Sequence, residues 1–267
     1  MALVLKRLNK AWRVLATGLA FSIFGIGGVL LSLTVFPYLN LRYKNVHERK
    51  LRARAIVSRS FRFFLEAMRL MGICTYEIDG EQRLNAEPCL VIANHPSLLD
   101  VVLLIAAMPK ADCVVKEAIW HNPFMRGVVR ATGYISNARR GEEMIEAARQ
   151  TMAEGFSLVI FPEGTRTRPG QPLAMQRGAA NLAVRTEFPL RPVLLDVTPT
   201  TLTKSEPWYR VPDRPFHLSA RVLDDIDTRD FIDNSNGLPQ AARRLTRYLE
   251  GFYEEKRKDD GKPRTGP

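Results

Sequence analysis

The chain has 267 residues, of which 46% are hydrophobic and 25% charged, and it carries a net charge of +11. This composition excludes a disordered chain and suits one large domain or a domain with an appendage. The whole charge excess lies in the first 72 residues, which hold 13 Lys/Arg against 2 Asp/Glu, while residues 73–267 are balanced. That argues against a nucleic-acid-binding main domain and marks the N-terminal quarter as the part that meets an anionic surface. Cys74, Cys89 and Cys113 are odd in number and form no C-x-x-C, so they read as buried reduced thiols rather than disulfides or metal ligands.

Residues 14–39, VLATGLAFSIFGIGGVLLSLTVFPYL, contain no charged residue. About 20 such residues suffice to cross a bilayer. The run is longer than a signal-peptide core, so residues 1–44 are expected to be a retained membrane anchor. Its form is open between a single span and a re-entrant helical pair, because Gly25, Gly27, Gly28 and Pro37 are placed to break it into two short helices. Lys6, Arg7, Lys10 and Arg13 precede the run, and a heavier basic cluster follows it. The positive-inside rule then puts residues 40–267 in the cytoplasm, on a bacterial-type inner membrane.

Residues 45–72 read as a basic amphipathic helix. Val46, Ile56, Val57, Phe64, Met68 and Met71 recur at roughly helical spacing, and Arg49, Lys50, Arg52, Arg54, Arg59, Arg62 and Arg69 occupy the rest. Beside an apolar anchor, that basic face is expected to contact anionic lipid head groups.

From residue 73 to 258 the pattern changes to short apolar runs separated by helix-like stretches. Strands are expected at 75–78, 89–93, 113–115, 134–136, 158–161, 191–195 and 217–222, and helices at 98–107, 117–131, 142–154, 175–185 and 239–258. The alternation predicts an α/β domain with a mainly parallel sheet flanked by helices. Residues 259–267, DDGKPRTGP, read as a frayed tail.

Two stretches carry chemistry. In VIANHPSLLD, residues 91–100, a strand is expected to end just before His95, at the edge where open α/β sheets hold their ligands. A helix is expected from Pro96 or Ser97, with Asp100 in its next turn folding back onto the imidazole. A carboxylate on one ring nitrogen leaves the other free as a base. No G-x-S-x-G elbow is present, so a serine nucleophile is not indicated. A capping Asp and a surface His give the same spacing, so the pair gains weight only with FPEGTRT, residues 161–167. There Arg166 supplies a planar donor fork suited to phosphate or carboxylate.

In this order and at this separation, the two stretches resemble the motifs of the 1-acylglycerol-3-phosphate acyltransferases. NHPSLLD matches N-H-x-x-x-x-D and FPEGTRT matches the third family motif. GYISNAR, residues 133–139, aligns with the second motif, and Arg191-Pro192-Val193 fits the fourth. The resemblance runs from about residue 80 to 200. It implies that His95 is the general base for an acceptor hydroxyl and that Asp100 orients it. It implies attack on an acyl thioester of coenzyme A or acyl carrier protein, with no acyl-enzyme, metal or cofactor. Glu163, Gly164, Thr165 and Arg166 are implied as the acceptor site, with Arg139 as a further anion contact. Lys116 is added here because it sits at a strand end where relatives often carry Lys, with an ordinary surface lysine as the equal alternative. The expected partners are anionic membrane lipids, a lysophospholipid acceptor and the acyl thioester. One departure stands out. Ser136-Asn137-Ala138 replaces an apolar lead-in with its closing acidic residue, and Arg140 offers a second register. A different lipid acceptor, such as an amino-acid lipid or pigment lipid, is the alternative that this opens. A membrane-anchored lipid-binding protein without catalysis is the other.

Overall fold

The glycines of the N-terminal apolar run do not break it. In a computed structural model describing residues 2–168, 170–186, 188–204, 206–232 and 237–260, helix α1 (Ala2–Leu30) passes through all three. It continues through a π-helical turn (Leu31–Val35) into α2 (Phe36–Arg42). Pro37 lies in the first turn of α2, where its missing N–H costs little. The glycines instead permit close approach. A Cβ on Gly28 would stand 2.6 Å from the Phe124 carbonyl oxygen, and one on Gly127 would strike the side chain of Ser32. Of the two forms left open for this run, a pair of helices broken at the glycines does not form: Gly28 serves packing, not punctuation. Residues 4–42 are long and apolar enough to cross a membrane, and Val4, Leu8, Leu15, Leu19, Ile26 and Leu33 are exposed along them.

Helix α3 (Val46–Leu70) is the expected helix, capped by Asn45, whose Oδ1 accepts from His47 N–H and Glu48 N–H. Val57, Phe64 and Met68 are buried, whereas Val46 is exposed. Its basic face differs from the expectation. Arg54 is buried on the α/β domain, Lys50 pairs with Glu154, Arg62 with Glu81, and Arg52 and Arg69 with Glu48 and Glu66 of their own helix. Much of the positive charge of α3 is therefore neutralised within the protein.

The remaining elements are β1 (Cys74–Asp79), α4 (Glu81–Leu84), β2 (Leu90–Ala93), α5 (Asp100–Ala107), β3 (Ala111–Val115), α6 (Glu117–His121), α7 (Arg126–Thr132), β4 (Ile135–Ser136), α8 (Glu142–Ala153), β5 (Ser157–Ile160), α9 (Arg177–Thr186), β6 (Leu190–Thr198), β7 (Phe216–Val222), a 3-10 turn (Thr228–Phe231) and α10 (Gly237–Asp260). All seven expected strands join one sheet in the order β1-β7-β6-β2-β5-β3-β4. Every neighbouring pair is parallel except β6 with β7. The central strands β2 and β5 are buried along their whole length, which is why they read as unbroken apolar runs.

The single helix expected at 117–131 is two helices, α6 and α7. Pro123 restricts Asn122 to an extended backbone, and the Asn122 side chain accepts from Phe124 N–H. Helix α10 runs to Asp260, past the expected start of the tail; residues 261–267 lie outside the described residues. The three cysteines are free and buried, as expected, and burial pushes the Cys74 thiol up to about 12.

Candidate active site

Strands β2 and β5 are adjacent and parallel, with Ile92 opposite Ile160. Whatever follows one is therefore beside whatever follows the other, at the carboxyl edge of the sheet. That register brings NHPSLLD and FPEGTRT together.

The local fold of the first stretch follows from its residues. Asn94 replaces a backbone ladder: its Nδ2 donates to the Leu195 carbonyl at 2.8 Å and its Oδ1 accepts from Leu195 N–H at 2.7 Å. Pro96 keeps His95 extended and ends the strand. The helix then starts later than expected, at Asp100 rather than near Pro96. Residues 97–99 form a turn, held by Ser97 N–H donating to Asp100 Oδ2 at 2.7 Å and by Leu98 N–H donating to the Leu202 carbonyl at 3.2 Å.

His95 Nδ1 lies 2.8 Å from Asp100 Oδ2. A carboxylate acceptor there places the neutral imidazole proton on Nδ1 and leaves Nε2 with a free lone pair. Asp100 is 1% exposed and the His95 side chain 16%, so the carboxylate is sealed while the ring keeps an open side. Burial pushes the Asp100 carboxyl above its ordinary range; the His95 hydrogen bond and charge, the Ser97 N–H and the Arg166 charge hold it back. Phe161 covers the ring, with centroids 4.4 Å apart.

The FPEGTRT stretch braces His95. Glu163 Oε1 accepts from His95 N–H at 2.8 Å, and Thr167 N–H donates to the His95 carbonyl at 3.1 Å. The Thr167 hydroxyl donates to Glu163 Oε2. Burial raises the Glu163 carboxyl above its usual range. Glu163 Oε1 thus fixes the His95 backbone directly, and Oε2 holds Thr167, whose N–H reaches the His95 carbonyl. Gly164 has φ +64°, and a Cβ there would come within 2.5 Å of Gln176 Nε2, so the turn requires glycine. Thr165 is half-buried beside it. Arg166 donates through Nη1 to the Leu202 and Thr203 carbonyls at 2.7 and 3.1 Å, and its Nε and Nη2 carry no hydrogen bond to the described residues.

Lys116 and Arg139 follow β3 and β4 and are exposed. β4 is three strands from β2, about 14 Å at ordinary strand spacing, so the sheet does not bring Arg139 against His95. The polar lead-in has a local cause: Asn137 Oδ1 accepts from Glu117 N–H at 2.9 Å and Ser136 Oγ from Ala138 N–H at 3.2 Å. Ser136 and Asn137 build a turn and start α6. Arg191, in the fourth stretch, sits at the opposite end of its strand, where its guanidinium pairs with both oxygens of Asp225. The supporting roles of Asn94, Phe161, Thr167 and Leu202 were not singled out from sequence; Leu202 carries no local signal at all.

A buried carboxylate on Nδ1 of a histidine, at the carboxyl edge of a parallel sheet and facing an Arg-bearing turn, makes this an α/β domain with a site suited to general-base chemistry beside an anion. Residues 75–196 match the Acyltransferase family model. A 1-acyl-sn-glycerol-3-phosphate acyltransferase of Cocos nucifera is 32% identical over 160 residues, covering 58% of this chain and 50% of the relative. The chain thus matches half the length of that protein. A protein of the same name from Limnanthes douglasii is 27% identical over 212 residues, covering 77% of this chain and 69% of the relative. The human 1-acyl-sn-glycerol-3-phosphate acyltransferase alpha is 26% identical over 242 residues, covering 85% and 77%. The crystal structure of the 1-acyl-sn-glycerophosphate (LPA) acyltransferase PlsC from Thermotoga maritima shares the fold. Its TM-score is 0.65 at 16% identity, covering 92% of this chain and 97% of that one.

The Glu163 brace has a measurable consequence. Glu163→Ala leaves the His95 N–H without its acceptor and is expected to cost about 1–3 kcal/mol of stability, read by urea unfolding. A loss below about 0.5 kcal/mol, the range of ordinary surface substitutions, would remove the brace.

Proposed function

We propose that this chain transfers a fatty acyl group from an acyl thioester to the free hydroxyl of 1-acylglycerol-3-phosphate, giving phosphatidic acid. The observation that carries the reading is the His95–Asp100 pair with Nε2 open. Nε2 removes the acceptor hydroxyl proton as the oxygen attacks the thioester carbonyl carbon. The tetrahedral intermediate collapses, the C–S bond breaks, and the imidazolium returns the proton to the departing thiolate of coenzyme A or acyl carrier protein. Asp100 stabilises the transient imidazolium. The scheme uses no metal and no cofactor beyond the co-substrate. Arg166, with Nε and Nη2 still available, takes the acceptor phosphate. The similarity to 1-acyl-sn-glycerol-3-phosphate acyltransferases supports the choice of acceptor.

We further propose that the protein sits on the cytoplasmic face of a bacterial-type inner membrane, with helices α1 and α2 lying in that leaflet. Two contacts support this. Arg13 Nη2 donates to the Asp213 carbonyl, and Gly28 packs under Phe124. These points are about 22 Å apart along the helix. A helix tied to the α/β domain at both lies beside it rather than crossing the bilayer away from it. Exposed Lys44 and Arg59 are left to meet anionic lipid head groups.

The test is an assay of purified protein on mixed vesicles, with acyl-CoA and acyl-carrier-protein donors and a panel of lysolipid acceptors. Product from 1-acylglycerol-3-phosphate is expected, with a raised acceptor KM in Arg166→Lys, because lysine lacks the donor fork. Activity only on another acceptor would transfer the reading to that lipid. Silence on every acceptor from folded protein would leave a lipid-binding protein.

A further inference from the structure

The loop between β6 and β7 lies against α1 and carries a tight turn. Arg210 N–H donates to the Pro207 carbonyl at 3.0 Å and Val211 N–H to the Tyr209 carbonyl at 3.1 Å, with the Val211 side chain buried. Trp208 and Tyr209 stand out from this turn, 48% and 59% exposed, edge to face with ring centroids 5.8 Å apart. The Tyr209 hydroxyl has no hydrogen bond to the described residues. Turns are ordinarily polar, so two large rings held outward on one mark a contact surface.

What that surface meets follows from its neighbours. The loop is fastened to α1 at two points: Arg13 Nη2 donates to the Asp213 carbonyl, and the Trp208 ring sits on Gly18, where a Cβ would stand 3.2 Å from Cζ3. Leu15, one turn before Gly18 on the same side of the helix, is 69% exposed. Leu8, Leu19 and Ile26 extend it at helical spacing as an exposed apolar stripe. The aromatic turn therefore borders that stripe and widens it. The charge of the loop suits the same surroundings. Lys204, Arg210 and Arg214 are exposed and carry no ion pair to the described residues, while Glu206 is turned back onto Thr203 and Asp213 is paired with Lys10. Trp and Tyr with unpaired cations, beside an apolar helix face, match the head-group layer of an anionic bilayer.

We propose that the Trp208–Tyr209 turn inserts into the head-group layer of an anionic membrane, as a second contact alongside α1. This rests on the membrane seat proposed above for α1 and not on the acyl-transfer chemistry. Its effect on the reaction is one of position. Trp208 is five residues from Thr203, at most about 18 Å of chain. The Leu202 and Thr203 carbonyls hold Arg166 Nη1, and the Leu202 carbonyl also accepts from the N–H of Leu98, an exposed residue three positions past His95. An inserted turn thus ties the loop that carries Arg166 to the level of the lipid phosphates.

The test needs no turnover. The chain has three tryptophans, Trp12, Trp120 and Trp208. Full-length protein carrying Trp12→Phe with Trp120→Phe keeps only Trp208; it is diluted from nonionic detergent into vesicles of phosphatidylglycerol and phosphatidylcholine, the latter brominated at shallow or at deep acyl carbons. Protein carrying Trp120→Phe with Trp208→Phe keeps only Trp12, on α1, and runs beside it. Trp208 emission is expected to shift to the blue, to be lost most to the shallow bromine, and to become shielded from acrylamide. Quenching of Trp12 without quenching of Trp208 overturns the second contact and leaves the seat of α1 standing. Quenching of neither overturns both. Shielding of Trp208 that grows with protein concentration, without quenching by bromine, assigns the turn to a second copy of the chain and overturns the membrane contact. If either variant fails to fold, Tyr209→Cys decides. Cys74, Cys89 and Cys113 are buried, so a bimane label goes to the turn alone, and a label quenched no more by brominated than by ordinary vesicles overturns the proposal.

Discussion

His95→Ala is expected to lose about 10²–10⁴-fold in kcat while staying folded and keeping its acceptor KM. The ring is held at three points: Asp100 on Nδ1, Glu163 on its backbone N–H, and Thr167 on its carbonyl. Such a histidine has one orientation and one tautomer, so the rate depends on the Nε2 lone pair and little else. Removing the ring deletes the base but leaves the Arg166 fork in place, which is why kcat and not KM should fall. Acid should act through the same pair. Burial raises the Asp100 carboxyl, so protonation reaches it sooner on the way down in pH than it reaches an exposed aspartate. Protonating Asp100 removes the charge that orients His95 and stabilises its imidazolium, so kcat/KM should decline with falling pH. Near-wild-type turnover in His95→Ala would end the general-base mechanism. A rate profile unchanged by Asp100→Asn would end the role of the carboxylate.

The central strands were legible because a strand buried on both faces is mostly apolar, as Leu90–Ala93 and Leu158–Ile160 are, whereas β1 and β7 alternate between more and less buried residues. The pairing of His95 with Asp100 was legible because it is local in sequence. What escaped was set by distant partners. Nothing near Gly28 tells that a carbonyl from Phe124 will press on it, so its glycine read as a break. Arg54 read as one of seven surface cations, because its counter-charge is 58 residues away. The Glu163 contact to His95 N–H escaped because the two residues lie 68 positions apart. The Asn137 contact that starts α6 escaped likewise, because its partner Glu117 lies 20 positions away. These contacts share one property: a polar or conformational demand met across the fold rather than along the chain.

Arg54 gives the largest expected loss of stability. It is 1% exposed and its partner Asp112 is 0% exposed. Arg54 Nη2 donates to Asp112 Oδ2 at 2.7 Å, Nε donates to the Thr132 carbonyl at 2.9 Å, and the guanidinium lies 3.9 Å from the Phe156 ring centroid. Asp112 also accepts from Cys113 N–H, Ile135 N–H and the Thr151 hydroxyl. One carboxylate thus ties α3 to β3, β4 and α8. Arg54→Met strands that carboxylate and is expected to cost about 3–5 kcal/mol near neutral pH. The loss should depend on pH in a definite sense. Burial already pushes the Asp112 carboxyl up, with Arg54 the main force opposing it. Without Arg54 the folded state binds the proton more tightly still, so stability falls as pH rises through the folded-state value. Below the ordinary carboxylate range, near about pH 4, the group is neutral in both states and the penalty should shrink. Urea unfolding of Arg54→Met and wild type across that range measures it. A penalty independent of pH would mean that the loss is one of packing against Phe156 rather than of an uncompensated charge. The double replacement Arg54→Met with Asp112→Leu should recover only part of the loss, because the Cys113 and Ile135 N–H groups would then lack an acceptor. Asp112→Asn with Arg54→Met keeps that acceptor and should recover more.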